Sequence, residues 1–440
     1  MTRDLRRAVA YLLVGSLVFL APALDAHYGS STAAAATAAV FGLVAVAGFK
    51  TSDGPLFALF ARRRDRAEER LYGLASFALA VAALGVLLVA VELPAVVPVV
   101  AVFVLTVGNV GQRLAAGYVA SPAVGASAFA AFGTVGGSVA AVAAGWLGAA
   151  VASLPLVVFV AASGALLGGL IRSVLYVQDD SLVVLAVALL VWLLLSLGLS
   201  PTPERVAVGL AVTVGLGYIA YALDTASVTG MLTGVLLALF AVVLGGYGWF
   251  VLLVTFFGLG GLASKYRYDE KLDRGIAQEN EGARGGGNVL ANSAVALVAV
   301  VGYAASGHVG IDATVFEFAF AGAVAAALAD TFSSEFGGLF DAPRLITTLE
   351  RVDPGTDGGV TWQGAVAGAT GSGIIAGLGW AFFEFDTIAT ATVLGAGVLG
   401  MVVDSILGAT LEGGRLGNQS VNLLATLSAG TAAAVVAVLI

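Results

Sequence analysis

Four carboxylates stand out, either because they lie in apolar surroundings or because their neighbours could complete a site. Asp330 sits late in "AGAVAAALADTFSSEFGG", with Glu335 near the end of that stretch. Asp404 lies inside "GMVVDSILGATLEGG", and Asp357 belongs to the turn "GTDGG", where Gly358 and Gly359 follow it. Ionisable side chains within long apolar segments are costly and mark substrate or ion sites. Glycine N–H groups beside a carboxylate suit a phosphate–metal site, the amides binding phosphate oxygens and the carboxylate binding Mg²⁺. "EGARGGGN", residues 281–288, repeats that chemistry around Arg284. Lys265, Lys271, Arg284, Arg344 and Arg351 supply cations that could neutralise phosphate groups.

Each feature also has a plainer reading. Asp330 and Glu335 could mark a solvated helix end with a snorkelling acid. Asp404 could be a packing carboxylate held by a neighbouring Ser or Asn, and "GTDGG" could be only a turn. Asp330 and Ser334 share a helix face, whereas Glu335 lies about 140° round, so both acids meet one site only if the helix ends or frays at "FGG". The expectation is that Asp330, Asp357 and Asp404 converge on one Mg²⁺–phosphate site, between helices splayed by Gly364, Gly368, Gly400 and Gly408.

The residues that are missing narrow the chemistry further. The chain has no Cys and only His27 and His308, which excludes disulfides, thiolate nucleophiles and a zinc or haem site. No GxxxxGK[ST] loop is present, so a P-loop enzyme is excluded. A net charge of −8 is the wrong sign for a nucleic-acid partner.

The elements that must carry these side chains are membrane helices. Of 440 residues, 59% are hydrophobic and only 11% charged, with a mean hydropathy of +1.00. Soluble domains run at about 45–50% apolar and about 25% charged. The apolar runs are solid Ala/Val/Leu/Gly stretches rather than the ~10-residue alternating segments of a β-barrel. They read as an all-α polytopic membrane protein with about fifteen transmembrane helices. In the first half these cover about 8–24, 32–49, 72–91, 95–111, 123–150, 154–175 and 181–199. In the second half they cover about 205–223, 226–245, 247–263, 288–306, 316–335, 361–383, 391–410 and 420–439. With a cytoplasmic N-terminus, nineteen of the twenty Lys and Arg fall on the inner side and only Arg205 lies outside. The C-terminus is then outside, and a multi-pass protein of the cell membrane is expected. "LSPTPER" divides residues 1–200 from residues 201–440, whose inner loops 264–287 and 336–360 are among the longest polar segments.

Several second-half motifs resemble a known family. "GARGGGNVLANS", "ALADTFSSEFGGL", "PRLITTLERVDPGTDGGVTWQGAVAG", "DSILGATLE" and "NQSVNLL" appear in order over roughly residues 205–440. They are similar to the integral-membrane family called domain of unknown function 92, whose members include plant phytyl-phosphate kinase and animal transmembrane protein 19. The resemblance implies an all-helical membrane domain. For the plant member it implies phosphoryl transfer onto an isoprenoid monophosphate to give the diphosphate. It also draws in Asn288, Asn292, Asn418 and Asn422, which stand inside the shared motifs. Residues 108–141 are faintly similar to membrane prenol kinases, but Thr106 and Asn109 stand where those carry a helix acid. The spacings Gly133-xxx-Gly137 and Gly164-xxx-Gly168 read as close helix packing, and residues 1–200 form a membrane module without an assigned role.

These readings lead to an isoprenoid-phosphate kinase at the cytoplasmic leaflet. Asp330, Glu335, Asp357 and Asp404 hold Mg²⁺ and orient the donor, and the cations above, with Gly358, Gly359 and the four asparagines, bind phosphates. The donor is a nucleoside triphosphate, and similarity to prenol kinases points to CTP. The alternative is a transporter or flippase for a lipid or small anion, whose site would lie near the bilayer midplane among broken helices. The absence of Cys makes the topology directly testable. Single cysteines at Thr51 or Thr356 should label only from the cytoplasmic side, and those at Gly29 or Thr387 only from outside. Outside labelling at Thr356 would detach "GTDGG" from the inner face.

Overall fold

The computed structural model describes residues 2–174, 180–222, 227–277, 286–412 and 415–440. Helices make up 81% of it. Fourteen helices among the described residues are long and apolar enough to cross a membrane, and Asp180–Ser196 is a further apolar helix of 17 residues. The protein is an all-α polytopic membrane protein, as its composition requires. Without water in the hydrocarbon core, every backbone polar group must be satisfied inside its own helix.

The chain forms two compact units, Met1–Val206 and Ala207–Ile440. The first contains α1 (Arg3–Tyr28), α2 (Ser30–Lys50), α3 (Tyr72–Ala90), α4 (Val96–Ala115), α5 (Pro122–Trp146) and α6 (Leu154–Val174), followed by α7 (Asp180–Ser196). Close packing at its glycine pairs is observed. A Cβ at Gly133 would stand 2.9 Å from the Val104 carbonyl, and one at Gly164 would stand 2.8 Å from Val187.

α8 (Pro203–Ala222) starts at the boundary and leads into the second unit. There α9 (Val228–Gly245), α10 (Tyr247–Lys265), α11 (Gly287–Val309), α12 (Ala313–Gly337), α13 (Trp362–Phe382), α14 (Thr387–Leu411) and α15 (Asn418–Leu439) follow. α12 is the central element and packs against α10, α11, α13, α14 and α15. Its run Phe320–Ala329 is apolar on every side and buried throughout, as expected of a helix surrounded by others. Asp312 and Asp386 cap the starts of α12 and α14 by accepting from the Thr314 and Ala389 N–H groups, each at 2.8 Å. A carboxylate there satisfies a free amide and meets the positive end of the helix dipole.

Lipid supplies no hydrophobic drive for helix association, so contact between small residues must hold such a bundle together. Gly364, Gly368 and Gly371 form a stripe on α13. A Cβ at these positions would come within 2.8–3.0 Å of the Ser333, Ala329 and Leu328 carbonyls of α12. Gly364, Gly368, Gly400 and Gly408 therefore bring backbones together instead of splaying the helices.

The short helix Tyr268–Asp273 is fixed to α12 by a buried ion pair. Lys271 Nζ lies 2.6 Å from Glu335 Oε2 and also donates to the Ala263 carbonyl at 2.8 Å, capping the end of α10. Both side chains are almost completely buried. Removing one partner of such a pair leaves an uncompensated buried charge, at a cost of about 3–5 kcal/mol. Lys271→Met should accordingly lower the unfolding temperature in detergent markedly, whereas Lys271→Met with Glu335→Leu should recover most of the loss. A double variant as unstable as the single one would assign the effect to the lost cap on Ala263.

Candidate functional site

α12 and α14 meet in a regular register. A Cβ on Gly322 would stand 3.5 Å from Ala396 Cβ, and four residues on Gly400 packs directly on Ala326. One further turn brings Asp330 and Asp404 into hydrogen-bond contact. Each helix has 25 residues, and each Asp lies seven residues before the last, Gly337 or Leu411. Seven residues at a 1.5 Å rise place both carboxyl groups ~10 Å below the same helix ends. Both side chains are half-buried, and Asp404 Oδ1 has no hydrogen-bond partner. A hydrogen bond between two carboxyl groups requires one proton, and a divalent cation could take that proton's place.

The segment after α12 closes over this end of α14. Arg344–Leu345 (β1) pairs antiparallel with Gly359–Val360 (β2), and the Ile346 N–H donates to the Gly358 carbonyl at 3.0 Å. Thr361 caps α13 by accepting from the Gly364 N–H at 3.1 Å. Gly358 has φ +73°, and its α-carbon lies so close to α14 that a Cβ would meet Ser405 O at 2.5 Å and Ala409 N at 2.6 Å. No other residue combines that backbone conformation with that proximity. Asp357, which is exposed, is thereby held beside the last turns of α14. Burial, followed by the charges of Asp357 and Asp404, raises the carboxyl pKa of Glu412 at the C-cap of α14.

The other expected residues divide between this end of the bundle and other tasks. Glu335 does not join the aspartate pair, because α12 runs unbroken to Gly337 and directs Glu335 towards Lys271. Lys271 is correspondingly engaged by Glu335 and is not a free phosphate ligand. The Gly359 N–H is taken by the Thr356 carbonyl at 2.9 Å. Arg344 donates to the Leu349 carbonyl at 2.6 Å, and Arg344, Arg351 and Lys265 are exposed. Asn288 and Asn292 lie in the first turns of α11, where Asn292 Nδ2 donates to the Asn288 carbonyl at 3.0 Å. Asn418 and Asn422 begin α15, and the two helix starts meet where Gly287 packs on Gln419. Arg284 lies outside the described residues.

Among the described residues, no three His, Cys, Asp or Glu side chains are arranged to hold a metal ion. The structure brings together a pair, with Asp357 and Glu412 near the rim. Glu412 is the acid that motif reading passed over, although Asp404, Gly408 and Glu412 recur every four residues and its signal was present.

Gly358→Ala should displace the loop from α14 without unfolding the helices, since strain and overlap each cost on the order of 1–3 kcal/mol. Trypsin cleavage after Arg344 and Arg351 should become several-fold faster while the unfolding temperature changes little. Unchanged cleavage would show that the loop is held elsewhere.

Residues 211–430 match the model of the family described as integral membrane protein DUF92. The chain is 37% identical over 193 residues to an uncharacterized membrane protein of Methanocaldococcus jannaschii, covering 42% of this chain and 74% of that protein. It is 35% identical over 191 residues to protein PGR of Arabidopsis thaliana, covering 38% of this chain and 65% of that one. It is 28% identical over 201 residues to the chloroplastic protein VTE6 of the same plant, covering 43% of this chain and 58% of that one. The chain thus spans less than two thirds of the length of these two plant relatives. No solved structure matches. The matched segment contains both aspartates, the loop seated on α14 and the starts of α11 and α15, and the chain belongs to the integral membrane protein DUF92 family.

Proposed function

We propose that the second unit transfers a phosphoryl group from a nucleoside triphosphate, such as CTP, to an isoprenoid monophosphate at the face bearing the ends of α12 and α14. The cell membrane is the proposed location, and the distribution of basic residues supports a cytoplasmic position for this face. The observation that carries the reading is the Asp330–Asp404 pair, two carboxyl groups in contact at equal depth with one buried oxygen unsatisfied. The family resemblance, which includes a plant phytyl-phosphate kinase, and the match to VTE6 support the substrate class.

The pair fits Mg²⁺, which is commonly bound by one or two carboxylates, substrate phosphates and waters instead of an all-protein cage. The ion would neutralise charge on the transferring phosphoryl group. Asp330 and Asp404 would hold it, and their rigid helices would fix its depth. The Gly358 loop would restrict entry beside α14, with Asp357 and Glu412 at the rim. Lys265, Arg344 and Arg351 are exposed cations that could meet phosphate oxygens. In the balanced reaction, an acceptor phosphate oxygen bonds to the γ-phosphorus, the β–γ bridge breaks and the nucleoside diphosphate leaves. The acceptor oxygen is already ionised near neutral pH, so no histidine base is needed.

The test is purified protein with phytyl or geranylgeranyl phosphate, Mg²⁺ and each nucleoside triphosphate. Formation of the isoprenoid diphosphate is expected. Asp330→Asn or Asp404→Asn should reduce the rate at least ~100-fold, the scale of losing an electrostatic group at a reacting centre, while leaving the unfolding temperature unchanged or higher. A chelator should abolish the reaction and Mg²⁺ restore it. Absence of diphosphate with every donor, together with substrate movement across vesicles, would replace the kinase with a transporter.

A further inference from the structure

The first unit holds a cavity of about 380 Å³, lined by Arg7, Arg62, Arg63, Arg113 and Arg172 and by Asp4 and Asp180. Its walls come from the start of α1, the segment between α2 and α3, the ends of α4 and α6, and the start of α7. All of these lie at one membrane face. Five guanidinium groups face two carboxylates, an excess of three positive charges. Asp65, behind the lining, accepts from the backbone N–H groups of Arg62 and Gly73 and reduces that excess to two at most.

Part of this charge is structural. Asp180 lies between Arg62 and Arg172, accepting from Arg172 Nη1 at 2.9 Å and pairing with Arg62. Arg172 also donates to Gln112 Oε1 at 3.1 Å and stacks 5.2 Å above the Phe129 ring. With Asp65 behind Arg62, these two guanidinium groups are balanced, and the surplus charge lies on Arg63 and Arg113. Asp4 offsets Arg7 at 2.6 Å but approaches Arg113 only to 3.7 Å. Two polar groups in the lining have no partner although they are buried: Arg172 Nε and the Tyr11 hydroxyl, in residues only 7% and 2% exposed. Unpaired buried donors beside uncompensated cations form an environment completed by a multiply charged oxyanion.

We propose that this cavity binds a phosphate or diphosphate group, free or as an ester, with Arg63 and Arg113 as its accessible ligands and Arg172 and Tyr11 as its inner donors. Planar guanidinium forks match phosphate oxygens pairwise, and the cavity volume is within the range of small-ligand sites. The site lies within the first unit, outside the matched family segment, and does not depend on the Asp330–Asp404 chemistry.

The test uses the full chain carrying Asp404→Asn, without Mg²⁺, in phosphatidylcholine nanodiscs, so that the second unit's proposed site is disabled. Calorimetric titration with inorganic phosphate and diphosphate is compared with chloride at equal ionic strength. Nanodiscs containing phosphatidic acid form a parallel arm, with bound lipid read by native mass spectrometry. Saturable diphosphate binding is expected. Arg63→Gln with Arg113→Gln should weaken it at least ~10-fold, about 1.4 kcal/mol, whereas Lys50→Gln should leave it within twofold. Both arginines lie at the rim, so the Arg62–Asp180–Arg172 cluster should hold the fold, as an unchanged unfolding temperature will verify. Phosphatidic acid that competes with diphosphate and is lost in the same variant would identify a lipid headgroup as the source. Diphosphate binding without lipid retention would identify a soluble phosphate compound. Binding no stronger than chloride in both arms, or a double variant binding like the parent, would overturn the proposal.

Discussion

Close approach of α12 and α14 is the constraint on which the candidate site depends. Two long side chains at the Ala326–Gly400 level would hold the helices apart by several ångströms, and the carboxyl groups one turn further along could not meet. Small residues permit the approach, and the repeat Gly322–Ala396, Ala326–Gly400, Asp330–Asp404 carries it to the acids without a change of register. In lipid this contact is itself the driving force, because apolar side chains gain little by leaving hydrocarbon for one another. The packing that stabilises the bundle therefore also presses two like acids together. Their proximity is a consequence of the fold, and it must be relieved by a proton or a cation.

Much of this was legible in the sequence because the membrane simplifies the code. Long apolar runs give helices almost unaided, and an acid inside such a run is visible as an exception. Counting residues to the expected helix ends puts Asp404 about two turns deep but Asp330 only about one; α12 runs on to Gly337, so both lie seven residues from their ends. Rotational phase was also available: Glu335 lies 140° from Asp330 on a straight helix, and the structure keeps the helix straight. The partner of Glu335 was harder to read, since Lys271 reaches it from a short helix 64 positions earlier in the chain. No local pattern encodes that approach. The anchoring of Asp357 was hidden in a similar way. The sequence shows a glycine after an aspartate, and only the structure shows that this glycine is required because α14 runs directly beneath it. The glycines of α13 and α14 illustrate the same limit, since small residues announce proximity to something without naming what.

Three buried charge groups among the described residues show how differently the chain treats ionisable side chains. Lys271 and Glu335 match one for one, and their remaining hydrogen bonds go to the end of α10. That group is balanced in charge, although Glu335 Oε1 has no hydrogen-bond partner, and its role is to fix a short helix. Arg62 and Arg172 share Asp180, with Asp65 behind them, so the group holds its shape while the surplus positive charge of the cavity falls to its rim. Asp330 and Asp404 set one acid against another. Burying like charges without compensation costs more than a bundle of marginal stability can bear, so this pair must carry something that is not part of the chain. A shared proton suffices at rest, and in the proposed kinase a divalent cation would take its place. Two carboxyl groups sharing one proton keep one negative charge, whereas a divalent cation in its place would neutralise both. Under that proposal, metal and phosphate would bind together, which suits a site that lies only ~10 Å below the helix ends.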